Sequence, residues 1–235
     1  MKRVEKGAEP AALHDYRAVP GATYDGHDFG PVKDQIRDGL LRDQHALCAY
    51  CMRRISKKTR PHPTKPDAQP LFLMKIDHWR SQERHPELQL SWTNMIGACP
   101  GGEGQPGPDQ TCDTKKGEHD ITLNPQTEAH LATLHCTSSG VLRSTNAQFQ
   151  EDIDQRLNLN HRILVEDRKA SLKRALDRLS KKFPGTTIPI SAVRRLAEEI
   201  ETPALNRDDP PVSELPEHSH VLRLWAKKRY PEAAW

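Results

Sequence analysis

The 235-residue sequence predicts an α+β protein. It has a small strand-bearing core held by paired cysteines, an N-terminal arm and helix, and a mainly helical C-terminal region. Three observations carry this. Two apolar runs of strand type, LFLMKIDHW (71–79) and LQLSWTNMIGAC (88–99), lie within a stretch marked by cysteines at 48, 51, 99 and 112. From about residue 147 the apolar positions fall mostly three, four or seven apart, which is helical spacing. Only 35% of residues are apolar, with four each of Phe, Trp and Tyr, so a core this small calls for a cross-link or a metal. The expected organisation is an arm and helix over 1–45, a core over 46–140 and helices over 141–235.

Each element has its own signal. Residues 1–30 are interrupted by Pro and Gly and read as an irregular arm suited to docking a partner. Val32, Ile36, Leu40, Leu41 and Leu47 place an amphipathic helix before the first cysteine. A basic, proline-rich loop follows (57–70), then the two apolar runs, a Gly/Pro loop (100–111), and short strands around turns in TLNPQTEAHLATLHC and SSGVLRS. Phe149, Ile153, Leu157 and Leu164, then Leu172, Leu176 and Leu179, form helical faces broken near NLNH (158–161). Ser191 reads as the N-cap of a helix over 191–200. A linker, NRDDPPVSELPEHS, leads to a last apolar stretch, HVLRLWAKKRY.

Charge and compartment narrow the function. Thirty-five Lys+Arg against 32 Asp+Glu give a net charge of only +3, but basic residues cluster in MRRISKKTR (52–60), at 115–116 and in KRALDRLSKK (173–182). No segment has transmembrane length and the first residues lack a signal-peptide core, so a cytoplasmic protein with no membrane partner is expected. Five cysteines in a reducing compartment are better metal ligands than disulfides.

Cys48 and Cys51 form a Cys-x-x-Cys turn, and Cys99 and Cys112 supply a second pair across a Gly/Pro loop. Together they read as a structural four-thiolate Zn2+ site, with Cys136 left over. A redox dithiol would want a βαβ setting and no second pair. Between the pairs the strand ends in Asp77-His78. Phosphodiester hydrolysis needs a base for water and a cation for the charge that develops on phosphate. His78 can be that base, and Asp77 offers the hard oxygen that Mg2+ prefers. Asn94 is placed to brace the loop carrying His78, Asp113 to add a second oxygen ligand, and Lys115 and Lys116 to hold a flanking phosphate.

This order resembles the HNH endonucleases: Cys-x-x-Cys, a strand ending in Asp-His, an Asn, then Cys and Cys-Asp-x-x-Lys-Gly. Within them, KGAEPAAL with YRAVPGATYD, LLRDQHALCAYCMRRI, MKIDHW and NMIGAC…CDTKKG…LNP resemble the PtuB family of HNH subunits in Septu-type anti-phage systems, also found beside retrons. The resemblance spans residues 1 to about 125. It implies a zinc-stapled ββα-metal core, with His78 as general base, Asp77 as metal ligand and Asn94 in the middle-Asn position. Asp113 then holds the last metal-ligand position, with His119 as the alternative. It also implies a PtuA-type ATPase as partner, a nucleic-acid substrate (DNA by family habit, tRNA as the other choice) and indirect links to retron components. No phosphate-binding G-x-x-x-x-G-K-[ST] loop is present in the chain. The opposing expectation is a non-catalytic zinc adaptor, which would need the cysteines and basic loops but neither Asp77 nor His78.

Overall fold

In the computed structural model, which describes residues 1–61, 67, 69–206, 211–233 and 235, the arm folds back onto the chain's own core. Its apolar residues Met1, Val4 and Leu13 are buried there. The arm carries a short helix, α1 (Ala11–Arg17), and α2 (Gly30–Asp43) follows, with Pro31 in the first turn, where a missing N–H is tolerated. As the spacing predicts, Val32, Ile36, Leu40 and Leu41 are the buried stripe of α2. The irregular arm thus packs against the chain's own core. Backbone and side-chain bonds tie it down: Val4 N–H donates to Pro125 O (2.9 Å), Gly7 N–H to Asp43 Oδ2 (2.7 Å), and Trp92 Nε1–H to Gly7 O (3.0 Å).

The strands are short and pair antiparallel, as four two-stranded sheets among the described residues. β1 (Ser56–Arg60) pairs with β2 (Leu71–Leu73), and β3 (Lys75–His78) with β4 (Met95–Ala98). The first apolar run is thus two strands, parted at the buried Met74. Between β3 and β4 the chain turns through two 3-10 segments, and after β4 a loop leads to α3 (Cys112–Lys116). Gly117, at φ +51, ends that helix in a conformation that favours glycine.

Next come α4 (Glu128–Ala132), then β5 (Leu134–Cys136) paired with β6 (Leu142–Ser144). The expected strand through TEAHLA is a helical turn instead, and only its end is extended. α5 (Ala147–Glu151) is capped by Asn146, whose side chain accepts from the Gln148 and Phe149 amides, and runs on through a π-helical turn (Asp152–Arg156). The predicted break at 158–161 separates it from α6 (Arg162–Lys182). α7 (Ile190–Ile200) begins after Pro189, so Ser191 lies inside the first turn rather than at the N-cap. β7 (Ala204–Leu205) pairs with β8 (Ser213–Glu214), and α8 (Val221–Arg229) closes the chain's helices. Part of the basic loop (62–66 and 68) and part of the predicted linker (207–210) lie outside the described residues.

One buried cluster joins all three segments, taking in Leu13 and Ile36, then Tyr50, Met95 and Ile96, then Leu164 and Leu224. The C-terminal segment also crosses the first cysteine turn: Leu215 N–H donates to His45 O, and His218 N–H to Met52 O. Among the described residues, no helix is long and apolar enough to cross a membrane.

Candidate metal centre and active site

Four buried thiols meet at the centre of the first 120 residues. The sulfurs of Cys48, Cys51, Cys99 and Cys112 all lie within 4.8 Å of one another; Cys48 and Cys112 are 3.9 Å apart, Cys51 and Cys99 3.6 Å. A tetrahedral ion with Zn–S bonds of about 2.3 Å places its sulfurs about 3.8 Å apart, so this cluster fits a structural zinc. Cys136 is buried elsewhere, its thiol on Thr137 O at 3.5 Å.

The cluster reaches the Asp77-His78 strand by three routes. Tyr50, inside the first cysteine turn and 1% exposed, donates its hydroxyl to Asp77 Oδ2 at 2.5 Å. Cys99 directly follows β4, whose Met95 and Ile96 register opposite His78 and Asp77. Cys112 opens α3, which carries Asp113 next and Lys116 one turn later. A further brace comes from Gln44 at the end of α2. Its amide donates to Gly97 O (2.8 Å) and accepts from Gly97 N–H (2.6 Å). Glycine at 97 leaves room for that approach, because a Cβ there would stand 2.9 Å from Ile55 Cδ1 and 3.1 Å from Gln44 Nε2 and push those side chains aside.

Successive strand residues face opposite sides. Asp77 and His78 nevertheless line one pocket of about 280 Å³, together with Tyr24, Lys75, Asp113, Lys116 and Glu118. The strand ends at His78, which frees its side chain to turn toward the same space. His78 Nε2 lies 2.8 Å from Gln89 O. A carbonyl only accepts, so the proton sits on Nε2 and Nδ1 keeps its lone pair. Tyr24 from the arm packs edge-on against the imidazole, with centroids 4.6 Å apart. Burial holds His78 below its ordinary pKa, so the ring is neutral near pH 7.

Asp113 lies against Asp77 and 3.5 Å from Lys75 Nζ. Burial, then the neighbouring Asp77, pushes its pKa up to about 8. Two carboxyl groups held side by side are a donor set that a divalent cation would relieve. Among the described residues, however, only the cysteines bring three or more His, Cys, Asp or Glu ligand atoms within 4.8 Å of one another.

Asn94 is buried, and its side chain ties down the backbone of Arg80, two residues after His78. Its Oδ1 accepts from Arg80 N–H (2.8 Å), and its Nδ2 donates to Arg80 O (3.0 Å). Lys116 departs from the sequence reading. It is 1% exposed, and its ammonium sits 2.9 Å from Asp77 Oδ1 while donating to His78 O, also at 2.9 Å. The expected phosphate contact is corrected to an internal clamp, because the short helix turns this face inward. Lys115 points the other way, toward Gly107 O at 3.3 Å. His119 does not line the pocket.

Sequence reasoning missed Tyr50, Tyr24 and the role of Lys116. An aromatic residue inside a Cys-x-x-Cys turn was a usable signal for Tyr50. Nothing in the arm's local pattern marks Tyr24, which comes from about 50 residues away in sequence.

No protein-family profile matches the chain. Two curated homologues do match. One is a candidate HNH endonuclease of retron Ec83 from Escherichia coli, 26% identical over 110 residues, covering 43% of this chain and 38% of that protein. The other is the Septu protein PtuB of Bacillus thuringiensis, 24% identical over 93 residues, covering 40% of this chain and 28% of that protein. The match therefore spans well under half the length of each relative.

Proposed function

We propose that this chain is a metal-dependent HNH-type endonuclease acting in anti-phage defence, with β3, β4 and α3 as its ββα-metal core. The names of the two homologues support a nuclease and a defence setting. One observation carries the catalytic reading. His78 bonds through Nε2–H to Gln89 O, which leaves Nδ1 as a proton acceptor in the pocket it shares with Asp77 and Asp113.

In this reading His78 takes a proton from the attacking water, and Gln89 O fixes the ring's tautomer and direction. Asp77 and Asp113 would hold a divalent cation, Mg2+ by the hardness of two carboxylates, with the cysteines holding a structural zinc. When bound, the cation supplies stabilisation of charge on the phosphate and the leaving oxygen. Lys116 and Tyr50 fix Asp77, and Asn94 fixes the turn after His78; these are positioning residues. A PtuA-type ATPase partner, a cytoplasmic setting and a DNA substrate, with tRNA as the other choice, complete the proposal; any link to a retron would be indirect.

A non-catalytic zinc adaptor draws on one observation: both oxygens of Asp77 are already engaged, by Tyr50 and Lys116. Incubating the protein, alone and with its ATPase, with plasmid DNA and with tRNA separates the readings. Mg2+-dependent cleavage that is lost in Asp113→Ala supports the nuclease, and the degraded species names the substrate. Binding without cleavage under every condition supports the adaptor.

A further inference from the structure

A cleft of about 540 Å³ lies beside the zinc cluster rather than at Asp77-His78. Its walls carry Arg53, Arg54, Arg60 and Arg174 against the carboxylates of Asp167 and Glu217. Two of the arginines are committed: Arg53 pairs with Asp167 at 2.9 Å, and Arg54 donates to Leu215 O at 2.7 Å and pairs with Glu214 at 3.3 Å. The side chains of Arg60, at the end of β1, and of the exposed Arg174, on α6, have no hydrogen-bond or ion-pair partner among the described residues. Gly101 and Gly102, both at positive φ, complete the wall, and their backbone N–H groups also lack an acceptor among the described residues. Guanidinium forks with free amides of this kind recognise phosphate oxygens.

The cleft adjoins the candidate active site through one shared wall. Pro100 lines the cleft, and its carbonyl accepts from Thr114 Oγ1 (2.7 Å), which lines the pocket of Asp77 and His78. Lys75, also in that pocket, donates to Thr114 Oγ1 (3.1 Å) and pairs with Glu103 just beyond the glycines (3.3 Å).

We infer that the arginine-lined cleft binds the phosphate backbone of the nucleic-acid strand flanking the scissile bond, with Arg60 and Arg174 as its free contacts. The inference rests on the nuclease reading. The Arg60 and Arg174 side chains have no hydrogen-bond or ion-pair partner to lose among the described residues, so Arg60→Gln/Arg174→Gln should fold as wild type. Binding of labelled duplex DNA and of tRNA to the full chain, with no Mg2+ added, is measured from 50 to 300 mM salt. The comparison variant, Lys181→Gln/Lys182→Gln, removes the same charge at the far end of α6. The expected result for the arginine variant is affinity down about tenfold and a salt slope shallower by about 2, one per lost phosphate contact, with the lysine variant much less affected. Equal behaviour of the two double variants overturns the cleft assignment. Arginine-dependent binding of ATP or inorganic phosphate, with nucleic-acid binding unchanged, also overturns it and assigns the cleft to a free anion. Wild type that cleaves nucleic acid while the arginine variant binds as tightly removes only this inference. Wild type that neither binds nor cleaves removes the nuclease reading with it.

Discussion

Lys116 Nζ stands 2.9 Å from Asp77 Oδ1, with the two side chains 2% and 3% exposed. The same ammonium reaches the carbonyl of His78, so one lysine holds both halves of the dipeptide. Such a buried pair adds little over an apolar replacement of both partners, but removing one partner strands a charge. Lys116→Met should therefore cost about 3–5 kcal/mol in urea unfolding. Lys115→Met, on the neighbouring residue, should stay within about 0.5 kcal/mol of wild type. Similar midpoints for the two variants would remove the clamp from the account.

The cysteine cluster should hold one zinc per chain, and Cys99→Ser should lose the metal and most of the folded signal. Metal sites of this type couple directly to folding. Cys136→Ser removes a thiol outside the cluster and should keep full zinc content. A chelator that strips the metal without lowering the unfolding temperature would deny it a structural role.

Asn94 occupies both backbone groups of Arg80. Asn94→Ala leaves a donor and an acceptor without their partner, at a cost of about 1–3 kcal/mol. Cleavage should fall because the turn after His78 loosens, while zinc content stays at wild-type level. An unchanged cleavage rate would mean that the turn holds without it.

His218 supplies a pH test remote from Asp77. Burial, then the nearby Arg168, pushes its pKa down to about 4, and its backbone sits at φ +55. The unfolded chain binds this proton at a higher pH than the folded chain does. Its contribution is therefore complete above about pH 6.5 and is lost as pH falls toward 4. His218→Asn tolerates the positive φ and should flatten the stability profile over that window by about 2–3 kcal/mol. Parallel profiles for variant and wild type would count against the burial argument.

Much of the site was legible because its signals are local. The cysteine spacing, the strand ending in Asp-His and the Asn94 brace each follow from a few neighbouring residues. The break near 158–161 and the stripe of α2 were equally plain in the apolar spacing. What escaped depends on tertiary placement. Tyr24 reaches His78 only because the arm packs on the core, and Lys116 turns inward only because Cys112 fixes the start of a five-residue helix. Alternation along a strand would have parted Asp77 from His78; the strand's end at His78 brings them to one pocket. The helical turn at Glu128–Ala132 was hidden by its shortness, since five residues cannot display a period.

The central claim is that His78 is the base of a phosphodiester-cleaving site, and its most direct measurement is cleavage by His78→Ala beside wild type. Both proteins are supplied with Mg2+ and the proposed PtuA-type ATPase, and zinc content and unfolding temperature are checked first. The account predicts that the variant keeps its zinc and its fold and loses cleavage of whichever nucleic acid wild type degrades. Cleavage by the variant at the wild-type rate would contradict it and would return Asp77-His78 to a structural role beside the zinc.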